Sequence, residues 1–270
     1  MRQITLLLIS IFILGSSTML NAQDTAEKES AIKLDVGADL MSRYIWRGTQ
    51  YGGNGASLQP EISLEWKGLT VGFWGAYSLN GFNSNQELDL FANYTFLDEK
   101  LTIGVTDYFF TNDNATEDPL NYKKDSTGHI LEASLSFNGT EKIPFSLLVA
   151  MNVYGADAQK INSDPTSTDF NTSTGIQYST YAELGYSTMV KDISLDVFAG
   201  VNLTTPAGAD TTTAYIGETG FYGSKAGLVN IGFTISKEIP VTDKFSLPIS
   251  ASLILNPIDR NYYFIFGISL

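Results

Sequence analysis

The segment LDVGADLMSRYIWRG, residues 34–48, contains the pattern that decides the fold. Successive side chains of a β-strand point to opposite faces, so a two-residue period separates its residues into two sets. One set is almost entirely apolar and ends in two aromatic residues: Leu34, Val36, Ala38, Leu40, Ser42, Tyr44 and Trp46. The other set carries Asp35, Asp39, Arg43 and Arg47. A soluble β-sandwich would turn the polar set to water, whereas a membrane barrel would turn the apolar set to lipid and the polar set to its interior.

The same period recurs along the chain in about twelve segments, several of them nine to twelve residues long. Strands of that length cross a bilayer when they are tilted. Short connections near residues 67, 98, 139, 191 and 240 alternate with longer ones near residues 52, 82, 118, 164, 214 and 258. Short turns at one end and longer loops at the other are typical of outer-membrane barrels and are not expected of a Greek-key sandwich. We therefore predict an all-β fold, a single antiparallel up-and-down transmembrane β-barrel of about 12 strands over residues 31–270.

Aromatic residues near the strand ends suggest two interfacial girdles. The loop-side set comprises Tyr44, Trp46, Tyr77, Tyr108, Tyr154, Tyr178 and Tyr262. The turn-side set comprises Trp66, Phe96, Phe137, Phe145, Tyr186 and Phe245.

The N-terminus has the three parts of a secretory signal. Arg2 precedes an apolar run from Ile4 to Leu14, and small and polar residues lead to Ala22. We predict a signal peptide over residues 1–22 and a polar leader over residues 23–30. An uncleaved helical anchor is the alternative, but the apolar run is short for a span of about 20 residues.

Composition excludes several classes of function. The formal net charge is −13, which argues against nucleic acid as a partner because phosphates require a basic face. The chain has no cysteine, so disulfides and thiolate metal sites are impossible. We expect neither a cofactor nor a metal site.

The single histidine, His129, is the main candidate for catalysis. Outer-membrane phospholipases carry a histidine and a serine two residues apart, but Leu131 stands at that position here. A protease-like site would need His129 to meet acids of the neighbouring loop, such as Asp113 and Asp118, yet acidic loop residues are usually only solvated. We therefore predict no catalytic residues and no enzyme activity.

Charged residues on the polar faces of the predicted strands are the candidate lining of the lumen. They are Asp35, Asp39, Arg43, Arg47, Glu61, Glu65, Glu87, Asp89, Glu132, Glu183 and Asp196. One interpretation is an ion-pair network that fills a narrow interior, and the other is a charged constriction that selects solutes. If the pore is open, the excess of acids predicts a preference for cations.

Three stretches carry a resemblance to a known family: MSRYIWRGTQ at residues 41–50, QPE at 59–61 and GFWG at 72–75. They resemble the start of the TorF-like porins, also labelled Gcw_chp, which typically show a Ser-Asp-Tyr-hydrophobic-aromatic-Arg-Gly motif. Arg43 stands where the family usually has aspartate, and Leu270 replaces the usual terminal aromatic residue. The final strand still carries Tyr262, Phe264 and Phe266, like the strands read by the barrel-assembly machinery. The resemblance implies an outer-membrane barrel.

These observations predict a porin-like channel in the outer membrane of a Gram-negative cell. Small polar solutes or ions would diffuse passively through its charged lumen, and outer-membrane lipid and the barrel-assembly machinery would be its partners. One alternative is a closed barrel that binds a ligand or partner through its extracellular loops, where Tyr215, Phe221 and Tyr222 form a lid or a binding tip. A secreted soluble β protein is a further alternative.

Overall fold

The computed structural model describes residues 32–79, 86–111, 118–124 and 126–270, and the predicted signal peptide and polar leader lie outside this part of the chain. The described residues form sixteen strands and no helix. The strands are β1 (Lys33–Met41), β2 (Tyr44–Trp46), β3 (Thr49–Tyr51), β4 (Ser57–Trp66), β5 (Leu69–Ser78), β6 (Gln86–Phe96), β7 (Leu101–Thr111), β8 (His129–Phe137), β9 (Phe145–Gly155), β10 (Gln159–Ile161), β11 (Ser173–Ile176), β12 (Thr180–Val190), β13 (Ile193–Asn202), β14 (Gly227–Thr242), β15 (Phe245–Asn256) and β16 (Asn261–Ser269).

Twelve of these strands form one closed barrel in the order β1-β16-β15-β14-β13-β12-β9-β8-β7-β6-β5-β4. Neighbouring strands are antiparallel, and the barrel closes where β1 pairs with β16, with Asp39 opposite Ser269. The prediction of a single antiparallel barrel of twelve strands is confirmed. Strands β2–β3 and β10–β11 form two separate hairpins that are not part of the barrel wall.

The outer face of the barrel is apolar around its circumference. Large hydrophobic side chains on alternate positions of the wall strands are exposed, for example Val36, Phe73, Leu135, Val197 and Phe264. A continuous apolar surface of this kind is stable when lipid covers it, and the polar set of each strand then faces inward. No helix in the described part of the chain is long and apolar enough to span a bilayer.

The connections differ at the two ends of the barrel, here called the turn side and the loop side. On the turn side, β4 and β5 are joined by Lys67 and Gly68, whose φ angles of 48° and 84° suit a tight hairpin turn. One predicted connection needs correction, because β14 continues through residue 240 and the turn is only Asp243–Lys244. The longest connections lie on the loop side, but the lengths overlap, because residues 138–144 on the turn side number seven and residues 257–260 on the loop side number four.

The deciding segment does not form one strand. Strand β1 ends at Met41, and Ser42 is the last residue held to β16, through a 2.8 Å bond from its amide to the Phe266 carbonyl. The chain then enters the β2–β3 hairpin, which turns at Arg47 and Gly48 with φ angles of 48° and 78°. The prediction that Tyr44 and Trp46 face lipid is therefore wrong, because both side chains are buried inside the barrel. Tyr108 was assigned to the same girdle and is also buried inside.

Candidate functional site

The β2–β3 hairpin, residues 44–51, occupies the lumen on the loop side and is called the inner hairpin below. Its aromatic side chains pack against the inner wall, with Tyr44 5.4 Å from Trp74 and Trp46 5.2 Å from Tyr108 between ring centroids. At the tip, the Asn256 side-chain amide donates a 3.2 Å hydrogen bond to the Gly48 carbonyl. The hairpin is thus a packed internal element of the barrel.

Arg47 is the centre of this packing. Its guanidinium forms a two-pronged ion pair with Glu132 on β8, in which Nη2 lies 2.9 Å from Oε1 and Nη1 contacts Oε2. The same guanidinium lies 4.5 Å from the ring centroid of Trp46 and 4.6 Å from that of Tyr181. Arg47 and Glu132 are both buried, so each charge depends on the other for compensation.

The third long loop, residues 203–226, completes this site from above. The Arg47 guanidinium donates a 2.6 Å hydrogen bond to the Tyr222 hydroxyl, and the Phe221 ring lies 6.2 Å from Trp46. Tyr222 is therefore an internal contact and not an exposed binding tip. Tyr215 is also buried, and its hydroxyl donates to the Ile161 carbonyl in the β10–β11 hairpin, which ties two loops together over the loop-side end.

The nine acids predicted to line the lumen occupy inward-facing positions of the barrel strands. Of these, Asp39, Glu87, Asp89, Glu132 and Glu183 are buried; Asp35, Glu61 and Asp196 are partly buried; Glu65 is exposed at the turn-side mouth. In the described part of the chain, salt bridges reach only two of the nine, Arg47 with Glu132 and Lys33 with Glu65. The inner wall therefore carries more acidic than basic side chains.

The two arginines predicted to share a strand face with Asp35 and Asp39 are placed differently. Both follow the end of β1, so they belong to the inner hairpin and the segment that leads into it. Arg47 pairs with Glu132, whereas the Arg43 guanidinium donates a 3.1 Å bond to the Gln50 side chain and remains partly accessible. Their charges are held inside the lumen by a loop element and not by the wall.

A cavity of about 650 Å³ lies on the turn side of the inner hairpin. Arg43, Tyr44, Trp46 and Trp74 contribute to its loop-side end, and the wall supplies many serine hydroxyls, from Ser187, Ser194, Ser236, Ser250 and Ser252 among others. The cavity extends to Asp192 and Glu238, which lie near the turn-side end. The described lumen thus consists of a packed loop-side half and an accessible turn-side half.

Several polar atoms at this cavity lack a protein partner. Among the described residues, Asp39 Oδ1, Asp89 Oδ1 and Trp74 Nε1 form no hydrogen bond. All three residues line the cavity, and they are only 5%, 1% and 3% exposed. Buried polar groups normally have partners, so these atoms mark a place where water or a solute would bind.

His129 belongs to a separate polar cluster on the outer face of the barrel. Tyr108 and Ile130 point inward, so Asp107 and His129 on the same strands point outward. His129 Nδ1 lies 2.9 Å from Asp107 Oδ1, and His129 Nε2 lies 3.0 Å from the Pro119 carbonyl. Both ring nitrogens are thus engaged, which leaves neither of them free to act as a general base.

Tyr122 closes this cluster and fixes the loop between β7 and β8 against the outer wall. Its hydroxyl donates a 2.5 Å hydrogen bond to Asp107, which raises the pKa of Tyr122 to about 12, and its ring stacks on His129 at 4.1 Å. The loop acids considered as partners of His129 do not take this role: Asp118 is exposed, and Asp113, Glu117 and Asp125 lie outside the described residues. Asp107 was missed because it stands on an otherwise apolar strand face.

Substitution of His129 with alanine should release this loop. Asp107 and the Pro119 carbonyl would each lose a partner, and the Tyr122 ring would lose its stacking surface. We expect trypsin to cut folded protein after Lys123 or Lys124 several-fold faster than in the wild type. The matched control is Tyr94→Ala, which removes an exposed aromatic residue elsewhere on the outer face. Equal cleavage rates in the His129 variant and the wild type would contradict this role.

The described residues contain no group of three or more histidine, aspartate or glutamate side chains arranged to hold a metal ion.

Comparison with known proteins gives one family and one structural likeness. A family model described as "Bacterial protein of unknown function (Gcw_chp)" matches residues 25–234. No curated protein matches the sequence. Among solved structures, one titled "KdgM porin" is similar at 9% sequence identity and a TM-score of 0.43, covering 87% of this chain and 96% of that chain. Because the sequence identity and the TM-score are both low, this likeness does not support any inference about function.

Proposed function

The chain belongs to the Gcw_chp family of bacterial proteins, and for this member we propose a porin-like channel in the outer membrane of a Gram-negative cell. A closed antiparallel barrel with an apolar outer face is suited to a lipid bilayer. Residues 1–22 would direct export, the barrel-assembly machinery would insert the chain, and outer-membrane lipid would surround it.

The excess of acidic side chains on the inner wall is the observation that carries this proposal. Nine acids face the interior, and only two of them form salt bridges in the described part of the chain. Rings of carboxylates favour cations over anions in a pore, because they attract counter-ions and repel ions of like charge. The channel would therefore pass cations and small polar solutes in preference to anions. The acids that would attract these cations are the seven without a salt bridge in the described part of the chain: Asp35, Asp39, Glu61, Glu87, Asp89, Glu183 and Asp196.

The inner hairpin would set the size limit of the channel. It packs against Trp74, Tyr108 and Tyr222 in the loop-side half, so any solute must pass beside it or wait for it to move. Passage would be slow and restricted to small molecules.

A closed barrel that acts through its loops is the second candidate. The observation that favours it is the packed loop-side half, where Arg47 joins the inner hairpin to both the wall and the third long loop. In that case the loops, tied together by contacts such as that between Tyr215 and Ile161, would form the binding surface.

Planar bilayer recordings of the refolded protein distinguish the two candidates. The proposal expects discrete conductance steps from the wild type, small for a twelve-stranded barrel, and larger steps when the inner hairpin is released by Arg47→Ala. The inserted protein should run faster unboiled than boiled on a detergent gel, which verifies that a folded barrel was tested. Absence of conductance from both folded proteins would favour the closed barrel.

A further inference from the structure

We infer that the cavity on the turn side of the inner hairpin binds linear polyamines, organic cations whose ammonium groups are separated by methylene chains. This inference deepens the proposed function, because the cavity is part of the same acidic lumen, and it names the class of solute that the lumen would hold.

Two buried carboxylates at the cavity have an oxygen without a partner among the described residues, Asp39 Oδ1 and Asp89 Oδ1. A carboxylate oxygen that is 95% or more removed from solvent is costly unless a donor reaches it. Neither residue forms a salt bridge with a described lysine or arginine. An ammonium group supplies both the missing N–H donors and the missing positive charge.

The carboxylates are too far apart to hold one small cation together. Asp39 lies on β1 and Asp89 on β6, three places away in the barrel, which corresponds to about 14 Å along the wall at ordinary strand spacing. A third unpaired oxygen, Asp196 Oδ1, lies on β13 across the lumen. Separated acceptors of this kind match several ammonium groups on one chain.

Apolar side chains also line the cavity. Met41, Ile254 and Ile265 line the cavity together with the aromatic residues of the hairpin and wall. Methylene segments can be desolvated against such a surface, whereas a hydrated metal ion gains nothing from it. The volume of about 650 Å³ is within the range of small-molecule sites.

A polyamine would enter from the turn side, because the inner hairpin closes the other end. The cavity reaches Asp192, Lys237 and Glu238 near that mouth. Lys237 lies between the inward-facing Ser236 and Glu238, so its side chain points outward, where its ammonium lies 2.8 Å from Asp192. Arg43 contributes a positive charge at the far end of the cavity, where it donates to Gln50.

Isothermal titration calorimetry of the refolded barrel in detergent, with spermidine as the probe, tests this inference. We expect saturable binding to the wild type, at least tenfold weaker binding to the Asp39→Asn/Asp89→Asn double variant, and no heat with 1,4-butanediol. Asp98→Asn is the matched control, because Asp98 lies in an exposed turn and pairs with Lys100 at 3.2 Å; it should bind like the wild type. Each protein must first show the faster gel migration of the unboiled barrel.

Equal affinity in the double variant and the wild type, or no spermidine binding to the folded wild type, would overturn the inference. The measurement requires no ion flow, so it separates this inference from the proposed channel. Spermidine binding without conductance would support the polyamine site and contradict the proposed channel. Conductance without spermidine binding would support the channel and contradict the polyamine site.

Discussion

Arg47→Ala is expected to raise the single-channel conductance several-fold. The substitution removes the only cation paired with Glu132 in the described part of the chain, and Glu132 is buried in the barrel wall. Breaking a buried ion pair from one side costs about 3–5 kcal/mol because the remaining charge is left without compensation. It also removes the donor to Tyr222 and the cation held over Trp46 and Tyr181. The inner hairpin would then lose its main attachment and leave the lumen for a larger fraction of the time.

Two controls separate release of the hairpin from general damage. The double variant Arg47→Met/Glu132→Met replaces the ion pair with apolar side chains, and it should return the conductance toward that of the wild type. Lys67→Ala removes another positive charge that lies over a tryptophan ring, but in an exposed turn. This variant should have the same single-channel conductance as the wild type. Unchanged conductance in folded Arg47→Ala protein would contradict the role assigned to the hairpin.

Gly48→Ala is the second substitution with a large expected effect. Gly48 has a φ of 78°, where a residue with a side chain costs roughly 1–2 kcal/mol. A Cβ at this position would also overlap the main-chain carbonyl oxygen of Val229 on β14. The tip of the inner hairpin could not remain seated against the wall, so the hairpin would be displaced from the lumen.

Limited trypsin digestion measures this displacement, because Arg47 is itself a cleavage site and is buried in the wild type. Trypsin should cut folded Gly48→Ala protein after Arg47, whereas it should not cut the folded wild type at this position. Gly208→Ala is the matched control, since a Cβ there meets no atom within 4 Å. Resistance of folded Gly48→Ala protein equal to that of the wild type would show that the tip does not require glycine.

The barrel wall could be predicted from the sequence because its physical cause is local. A strand with one face in lipid and one face inside must alternate, and the alternation in residues such as Val36 to Asp39 gives both the strand and its orientation. The inward positions of Asp39, Asp89 and Glu183 follow from the same rule.

The inner hairpin could not be predicted in the same way, since the two-residue period continues from β1 through Tyr44 and Trp46 after the chain has left the wall. Aromatic residues near a strand end look alike in sequence whether they lie at a membrane interface or fill a lumen. The available signal was Arg47-Gly48, a dipeptide with glycine at the second position of a two-residue hairpin turn. The partners of Arg47, Glu132 and Tyr222, are 85 and 175 residues away, so no local pattern identifies them.

The cluster of Asp107, Tyr122 and His129 on the outer face could be recognised from a different feature of the sequence. Asp107 interrupts an apolar strand face between Val105 and Phe109, and a charge at such a position requires a nearby partner. His129 fills that role from the neighbouring strand, where it lies opposite Phe109. A charged residue on an apolar strand face is thus a local signal of such a pair.

The zero-current potential of the channel under a KCl gradient tests the central claim most directly, namely that the acidic inner wall makes this barrel a cation-preferring channel. It should be measured for the wild type and for Arg47→Ala in the same bilayers. We expect both proteins to give a potential of the sign that indicates preference for potassium over chloride. A potential of the opposite sign, or the absence of conductance from both folded proteins, would contradict the claim.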